Sequence, residues 1–337
     1  MEQYFYTAIH NDKEICKKSS SGGAFTAITD VWFDLYKDKA VVYGCVLDEN
    51  LKAKHIRATC IEERNKMRGS KYIESDIKGI SKLIENDLKN GLYVVFSGTP
   101  CQISGIKTYI NNKEIQSDSR LLTIDLLCHG VAENSFFSDY IANLEKKYKG
   151  KATYCDFRAK TRAEALQKMQ IKFDNGKVHN AGSTKHDWFY SAYLGNYVLK
   201  SACYECKFTS VARVADFSLG DIFVDCPGRD REASSLIMVN TKLAEELIEK
   251  ISEKMNISEV PAENVHKEQL ISPAKKPENY DEFWSAYEKY GYLSAQKVIG
   301  NNTLKGRSVS VLVSILDRLN LIGFFKKIKR MILKCKN

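Results

Sequence analysis

The chain has 337 residues, 44% hydrophobic and 28% charged, which is enough for a sizeable core and ordinary for a globular protein. Its net charge of +9 is uneven: residues 305–337 hold nine Lys/Arg and a single acid, so the remaining body is close to neutral. That body lacks the broad basic footprint of a nucleic-acid binder. No long apolar run or basic-then-apolar leader predicts a membrane span or signal peptide, so the cytoplasm is the expected compartment.

In chain order, "YFYTAI" (4–9) predicts a first strand. "SSSGGAF" (19–25) opens a helix running to about Tyr36, and strands follow at 40–47 and 53–58 around a turn at Asp48–Asn50. Thr59 and Glu62 have capping-box spacing before a short helix. Ser75 suits the cap of a helix over 76–89, with Ile77, Ile80, Leu83, Ile84 and Leu88 on one face and Gly91 as its stop.

"LYVVFSG" (92–98) and "LLTIDLLCHG" (121–130) are continuous apolar runs, which suit strands buried on both faces. "TPCQISGIKTYI" between them starts a helix, so the three form a βαβ unit with parallel strands. Cys101 and Cys128 then follow strand ends at the carboxyl edge, where open α/β sheets hold ligands. Beyond them lie a hairpin around Asn175–Gly176, a two-thiol loop "SACYECKF" (201–208), a strand at 235–240 and a helix over 241–255. Residues 308–334 read as an amphipathic helix, with Leu321, Phe325, Ile328 and Ile332 opposite lysines and Arg330. The expected fold is α/β: a mixed, partly parallel sheet flanked by helices, with cysteine-bearing loops and a C-terminal amphipathic helix. The domain lines are drawn at 1–90, 91–260 and 261–337.

Ten cysteines in a reducing compartment favour metal or redox chemistry over structural disulfides. Cys203-x-x-Cys206, with Cys101 and Cys128 at one sheet edge, makes a four-thiolate site geometrically reasonable, and soft thiolates select zinc or iron–sulfur clusters. Cys16, Cys45, Cys60, Cys155, Cys226 and Cys335 read as small buried apolar groups. Cys101 has a competing role as a nucleophile at a helix start, with His129 as a candidate base. Ser19–Ser21 before Gly22 and Gly23 suit an anion at a helix N-terminus, and "MRGSKY" (67–72) adds Arg68 and Lys71; an ordinary cap and surface turn are the plain alternative. His10, His55, His179, His186 and His266 show no ligand spacing.

Six blocks, "KKSSSGGAFTA", "RGSKYIESD", "FSGTPCQISGIKTYI", "TIDLLCHGV", "SACYECKF" and "RVADFSLGD", stand in the order seen in the coenzyme F-420 hydrogenase/dehydrogenase β-subunit family, which the chain resembles over residues 4–225. The resemblance implies a flavoprotein, with FAD or FMN, and one 4Fe–4S cluster. It makes 1–90 an N-terminal flavin-binding part, 91–260 a flavin/iron–sulfur part and 261–337 a helical extension. It implies cluster ligands at Cys101, Cys128, Cys203 and Cys206, and flavin contacts at Ser20, Ser21, Gly22, Gly23, Ser70, Lys71, Tyr72 and Thr99. Lys71, His129 and Asp221 become the candidate catalytic residues, with Asp216 near the site. Many members begin with a ferredoxin-like domain that this chain lacks, so a separate donor such as ferredoxin is expected, with a small-molecule acceptor: a deazaflavin coenzyme or a polysaccharide-pathway intermediate. "CHGVAEN" and "GDIFV" depart from the family pattern beside the presumed pocket. The alternative is a zinc-stabilised, non-catalytic scaffold in envelope polysaccharide synthesis. The basic tail suits peripheral contact with the inner membrane face.

Overall fold

In a computed structural model the chain is described over residues 3–115, 119–160, 167–180, 187–222, 234–265 and 268–299. The elements are β1 (Tyr4–His10), α1 (Lys13–Lys17), α2 (Ala24–Tyr36), β2 (Ala40–Leu47), β3 (Ala53–Ala58), α3 (Ile61–Asn65), α4 (Ile80–Lys89), β4 (Tyr93–Gly98), α5 (Pro100–Asn111) and β5 (Leu121–Leu126). There follow α6 (Asn134–Tyr148), β6 (Ala152–Lys160), β7 (Gln167–Phe173), β8 (Val178–Asn180), α7 (Trp188–Leu194), β9 (Phe217–Asp221), β10 (Ser235–Val239), α8 (Lys242–Lys254), β11 (Met255–Glu259), α9 (Tyr280–Tyr290) and α10 (Tyr292–Val298). The expected α/β class is observed. The amphipathic tail over 308–334, with His186, His266, Cys226 and Cys335, lies outside the described residues.

The chain divides into two units. The first is Met1–Asp48, Lys52–Gly130 and Glu205–Ala274; the second is Glu49–Leu51, Val131–Tyr204 and Lys275–Asn337. These units interleave along the sequence and do not follow the three stretches drawn from it.

The first unit is built on an eight-stranded sheet in the order β11-β1-β10-β9-β5-β4-β2-β3. β2, β4, β5 and β9 are mutually parallel, β10 is antiparallel to β9, and β1 is antiparallel to β10. β1 therefore runs with the parallel set. The carboxyl ends of β1, β2, β4, β5 and β9 share one edge, together with the starts of β3 and β10. The strands alternate as a pleated sheet dictates. Val42 and Val95 join Ile28, Trp32, Leu247 and Ile251 beneath α2 and α8, whereas Val41, Tyr43, Val94 and Phe96 join Ile84, Leu88, Ile103 and Ile110 beneath α4 and α5. Burial on both faces is why β4 and β5 read as unbroken apolar runs.

Local departures from the sequence reading have local causes. α4 begins at Ile80 instead of residue 76, because the Asp76 N–H donates to the Ala53 carbonyl and the His55 N–H donates to the Asp76 carbonyl. Cys60 occupies the cap position of α3, and it is Glu63 that accepts from the Thr59 N–H, at 3.0 Å.

In the second unit α6, α7, α9 and α10 meet through aromatic rings. Phe136 packs against Trp188, Phe283, Tyr287 and Tyr292 at centroid distances of 5.3–6.0 Å. A separate antiparallel sheet has the order β6-β7-β8.

Candidate functional site

The site is built from the loops that leave the carboxyl edge of the first unit's sheet. After β1, the chain turns through α1 and returns as Ser19–Gly23. The His10 N–H donates to the Gly22 carbonyl at 2.8 Å, and the Cys16 thiol donates to the His10 carbonyl at 3.3 Å. The Ser21 hydroxyl donates to the Ser234 carbonyl at 2.5 Å, and the Gly22 N–H donates to the Ser235 hydroxyl at 2.8 Å. These two bonds fix the loop to the start of β10. Gly23 is left-handed at φ 92°, and a Cβ there would stand 3.0 Å from His10 Cβ, so glycine is required twice over.

The next loop is joined to this one directly. The Ser70 N–H donates to the Ser20 hydroxyl at 2.7 Å, and the two hydroxyls are 3.0 Å apart. The Lys71 ammonium folds back and donates to the carbonyls of Met67 and Arg68, both at 2.9 Å. Its charge acts on a half-buried thiol and a buried imidazole. Burial pushes the Cys45 thiol up, with Lys71 and Ser75 opposing. Burial pushes His55 down to about 4, with Lys71 adding to the effect. Arg68 donates Nε to the Thr26 hydroxyl at 3.0 Å, in the first turn of α2. That turn, Arg68 and the serine loop together offer an electropositive end of the kind that binds anions. The serine hydrogen bonds hold the loop in shape.

The rim continues to α5. The Gln102 amide donates to the Ser75 hydroxyl at 2.9 Å while its carbonyl oxygen accepts from the Thr99 N–H at 3.0 Å. The Thr99 hydroxyl lies 3.1 Å from Cys101 Sγ. Cys101 is exposed in the first turn of α5, directly after β4. Cys128 and His129 follow the neighbouring parallel strand β5, both half-buried. Asp221 is the last residue of β9 and pairs in register with Ser235. Tyr72 is half-buried in the second loop. Polar contacts thus tie Ser234 to Ser21, the adjacent Ser20 to Ser70, and Ser75 through Gln102 to Thr99.

Asp216 departs from expectation. It sits at the amino end of β9, so it faces the opposite edge from Asp221. Its carboxylate accepts from the Thr123 N–H at 2.7 Å, the Thr123 hydroxyl at 2.5 Å and the Thr241 hydroxyl at 2.7 Å, which makes it a structural tie.

Among the expected thiol ligands, Cys101, Cys128 and Cys206 belong to the first unit, whereas Cys203 falls in the second. Among the described residues, no three His, Cys, Asp or Glu side chains stand together as a ready-made metal site. The donor set itself is that of a soft metal or cluster. Sequence reasoning missed Arg213, His55, Ser75, Gln102, Ser234 and Ser235. Only Gln102 carried a signal, standing three residues after Thr99 as in a capping box.

Two comparisons bear on this mixed α/β sheet with its loop-built rim. Residues 92–265, just over half of the chain, match the family model for the C terminus of the coenzyme F420 hydrogenase/dehydrogenase beta subunit. A chain from the F420-reducing [NiFe] hydrogenase complex of Methanosarcina barkeri has the same fold, with a TM-score of 0.53 and 21% identity over 88% of this chain and 92% of that one. No curated protein matches. The protein belongs to the coenzyme F420 hydrogenase/dehydrogenase β-subunit family.

Proposed function

We propose that the protein is a flavin- and 4Fe–4S-dependent oxidoreductase. The family relation points to redox chemistry and the fold neighbour to work beside other subunits. The observation that carries the reading is the hydrogen-bonded rim: two anion-type loops joined by Ser20 and Ser70, and thiols at the ends of adjacent parallel strands. Bound flavin would supply electron-pair transfer to an organic acceptor, and a 4Fe–4S cluster would supply single electrons from a separate donor such as ferredoxin.

The chain's own residues have distinct parts in this proposal. Ser20, Ser21, Gly22, Gly23, Ser70, Tyr72 and Thr99 cradle the flavin. Lys71, its ammonium anchored by two carbonyls, is a preset positive charge for negative charge developing on the ring. Cys101, Cys128, Cys203 and Cys206 hold the cluster as thiolates. His129 and Asp221, at the ends of β5 and β9, hold and move the substrate proton. The family name makes the deazaflavin coenzyme F420 the first acceptor to try, and a polysaccharide-pathway intermediate the second. The basic segment 305–337 is assigned to a membrane surface.

The test is purification without oxygen, followed by absorbance, iron and flavin analysis. Structured flavin bands, a broad iron–sulfur shoulder and about four irons per chain, the stoichiometry of one 4Fe–4S cluster, are expected. A colourless protein that cannot be reconstituted, or one holding a single zinc and no flavin, overturns the reading.

A further inference from the structure

Arg213 opens the block "RVADFSLGD"; its side chain is only 2% exposed and bonds both within that block and beyond it. Its guanidinium is used on every side. Nε donates to the Ser218 hydroxyl of β9 at 3.1 Å. Nη1 donates to the Phe208 carbonyl at 2.9 Å and the Ser210 carbonyl at 3.3 Å. Nη2 donates to the Leu126 carbonyl at 3.3 Å and forms an ion pair with Asp125 Oδ2 at 2.9 Å. Asp125 is wholly buried, and Leu126 ends β5 two residues before Cys128. Phe208 and Ser210 lie two and four residues after Cys206.

We propose that Arg213, paired with Asp125, is a positioning residue that locks the loop carrying Cys206 to the end of the strand that leads to Cys128. Three features support this over a role in general stability. First, a buried ion pair is a poor stabiliser, because desolvating both charges offsets most of their attraction; apolar side chains of similar volume often do as well or better. Second, the contacts are directed: four of the five go to the thiol loop and to β5. Third, among the described residues the other hydrogen bonds of residues 206–210 are local, the Ala212 N–H donating to the Ser210 hydroxyl at 3.1 Å. The Thr209 hydroxyl donates to the Cys206 carbonyl at 3.1 Å, a bond within the loop itself. A lysine would bring the same charge but not a planar fork that bonds carbonyls from separate segments. The purpose of the lock rests on the thiolate-cluster reading above; its geometry does not.

The test compares full-length wild type with Arg213→Lys and with the double variant Arg213→Met/Asp125→Leu, all purified without oxygen. The readouts are thermal midpoint, iron release to a chelator, amide hydrogen exchange along the chain, and alkylation of Cys206. Both variants are expected to release iron at least about tenfold faster, in line with loss of an outer-shell support. Exchange is expected to rise over 206–210 while β4 and α2 stay protected, and Cys206 is expected to alkylate faster. The double variant, which removes both charges, is expected to keep its thermal midpoint. If either variant folds with wild-type iron release, loop exchange and Cys206 reactivity, the proposal fails. It fails equally if exchange rises uniformly over the whole first unit. Should wild type hold no iron, the cluster reading falls, and loop exchange with Cys206 alkylation still decides the lock.

Discussion

His55 shows how one side chain couples the candidate site to acid stability. Its ring is 6% exposed, Nε2 donates to the Ser97 carbonyl at 2.9 Å, and Nδ1 is buried with no hydrogen-bond partner. Burial, helped by the Lys71 charge, lowers its pKa to about 4. Between the ordinary histidine value of about 6.5 and that point, the unfolded chain takes up a proton that the folded chain refuses, so stability falls as pH falls. The full effect is on the order of 3 kcal/mol. Urea midpoints measured from pH 7 to pH 4.5 are expected to fall more steeply for wild type than for His55→Gln, which cannot titrate. Parallel slopes would refute the assignment. None of this was legible in the sequence, where His55 was one histidine without ligand spacing. Its burial comes from β2 and β4, which the sequence shows as strands but does not set side by side.

Elements became legible in proportion to how continuous their burial is. β4, α5 and β5 stand almost where the apolar runs put them, because both faces of those strands are covered. β6 was missed: register shifts between Ala152 and Tyr154, and between Asp156 and Ala159, break the two-residue alternation that marks a strand. β9 was missed because its short run, "FSLGD", carries Ser, Gly and Asp in place of the continuous apolar residues that mark β10. What joins these elements is less visible still. Asp216 binds β9 to β5 through Thr123 and to the start of α8 through Thr241, partners 93 and 25 residues away. Asp216→Ala leaves the Thr123 N–H buried without its acceptor. A loss of about 3 kcal/mol is expected from a buried carboxylate with three bonds, measured by denaturant unfolding. On the proposed flavin reading, flavin uptake by the surviving folded fraction is expected to be unchanged, since Asp216 faces the far edge of the sheet. The Arg213 lock belongs to the same class: its partner Asp125 is 88 residues earlier, a separation no local motif records.

For the molecule as a whole, charge and chain order matter more than any motif. Among the described residues no helix is long and apolar enough to cross a membrane. The charge of residues 305–337 is the feature proposed to bring the protein to an anionic surface. Liposomes rich in phosphatidylserine are expected to float the full chain and not a chain ending at residue 304. Equal flotation of both would remove the membrane assignment.

The place of β1 has a consequence for how this protein is made. That strand lies between β10 and β11, so its partners leave the ribosome more than 220 residues after it does. At roughly 5–20 residues per second, the wait is on the order of tens of seconds. The second unit waits too, since α6 packs on α9 and α10 from the end of the chain. Both halves are completed by the last third of translation. Until then β1 presents two unpaired edges, which makes the nascent chain a client for chaperones and a premature stop costly to both units at once.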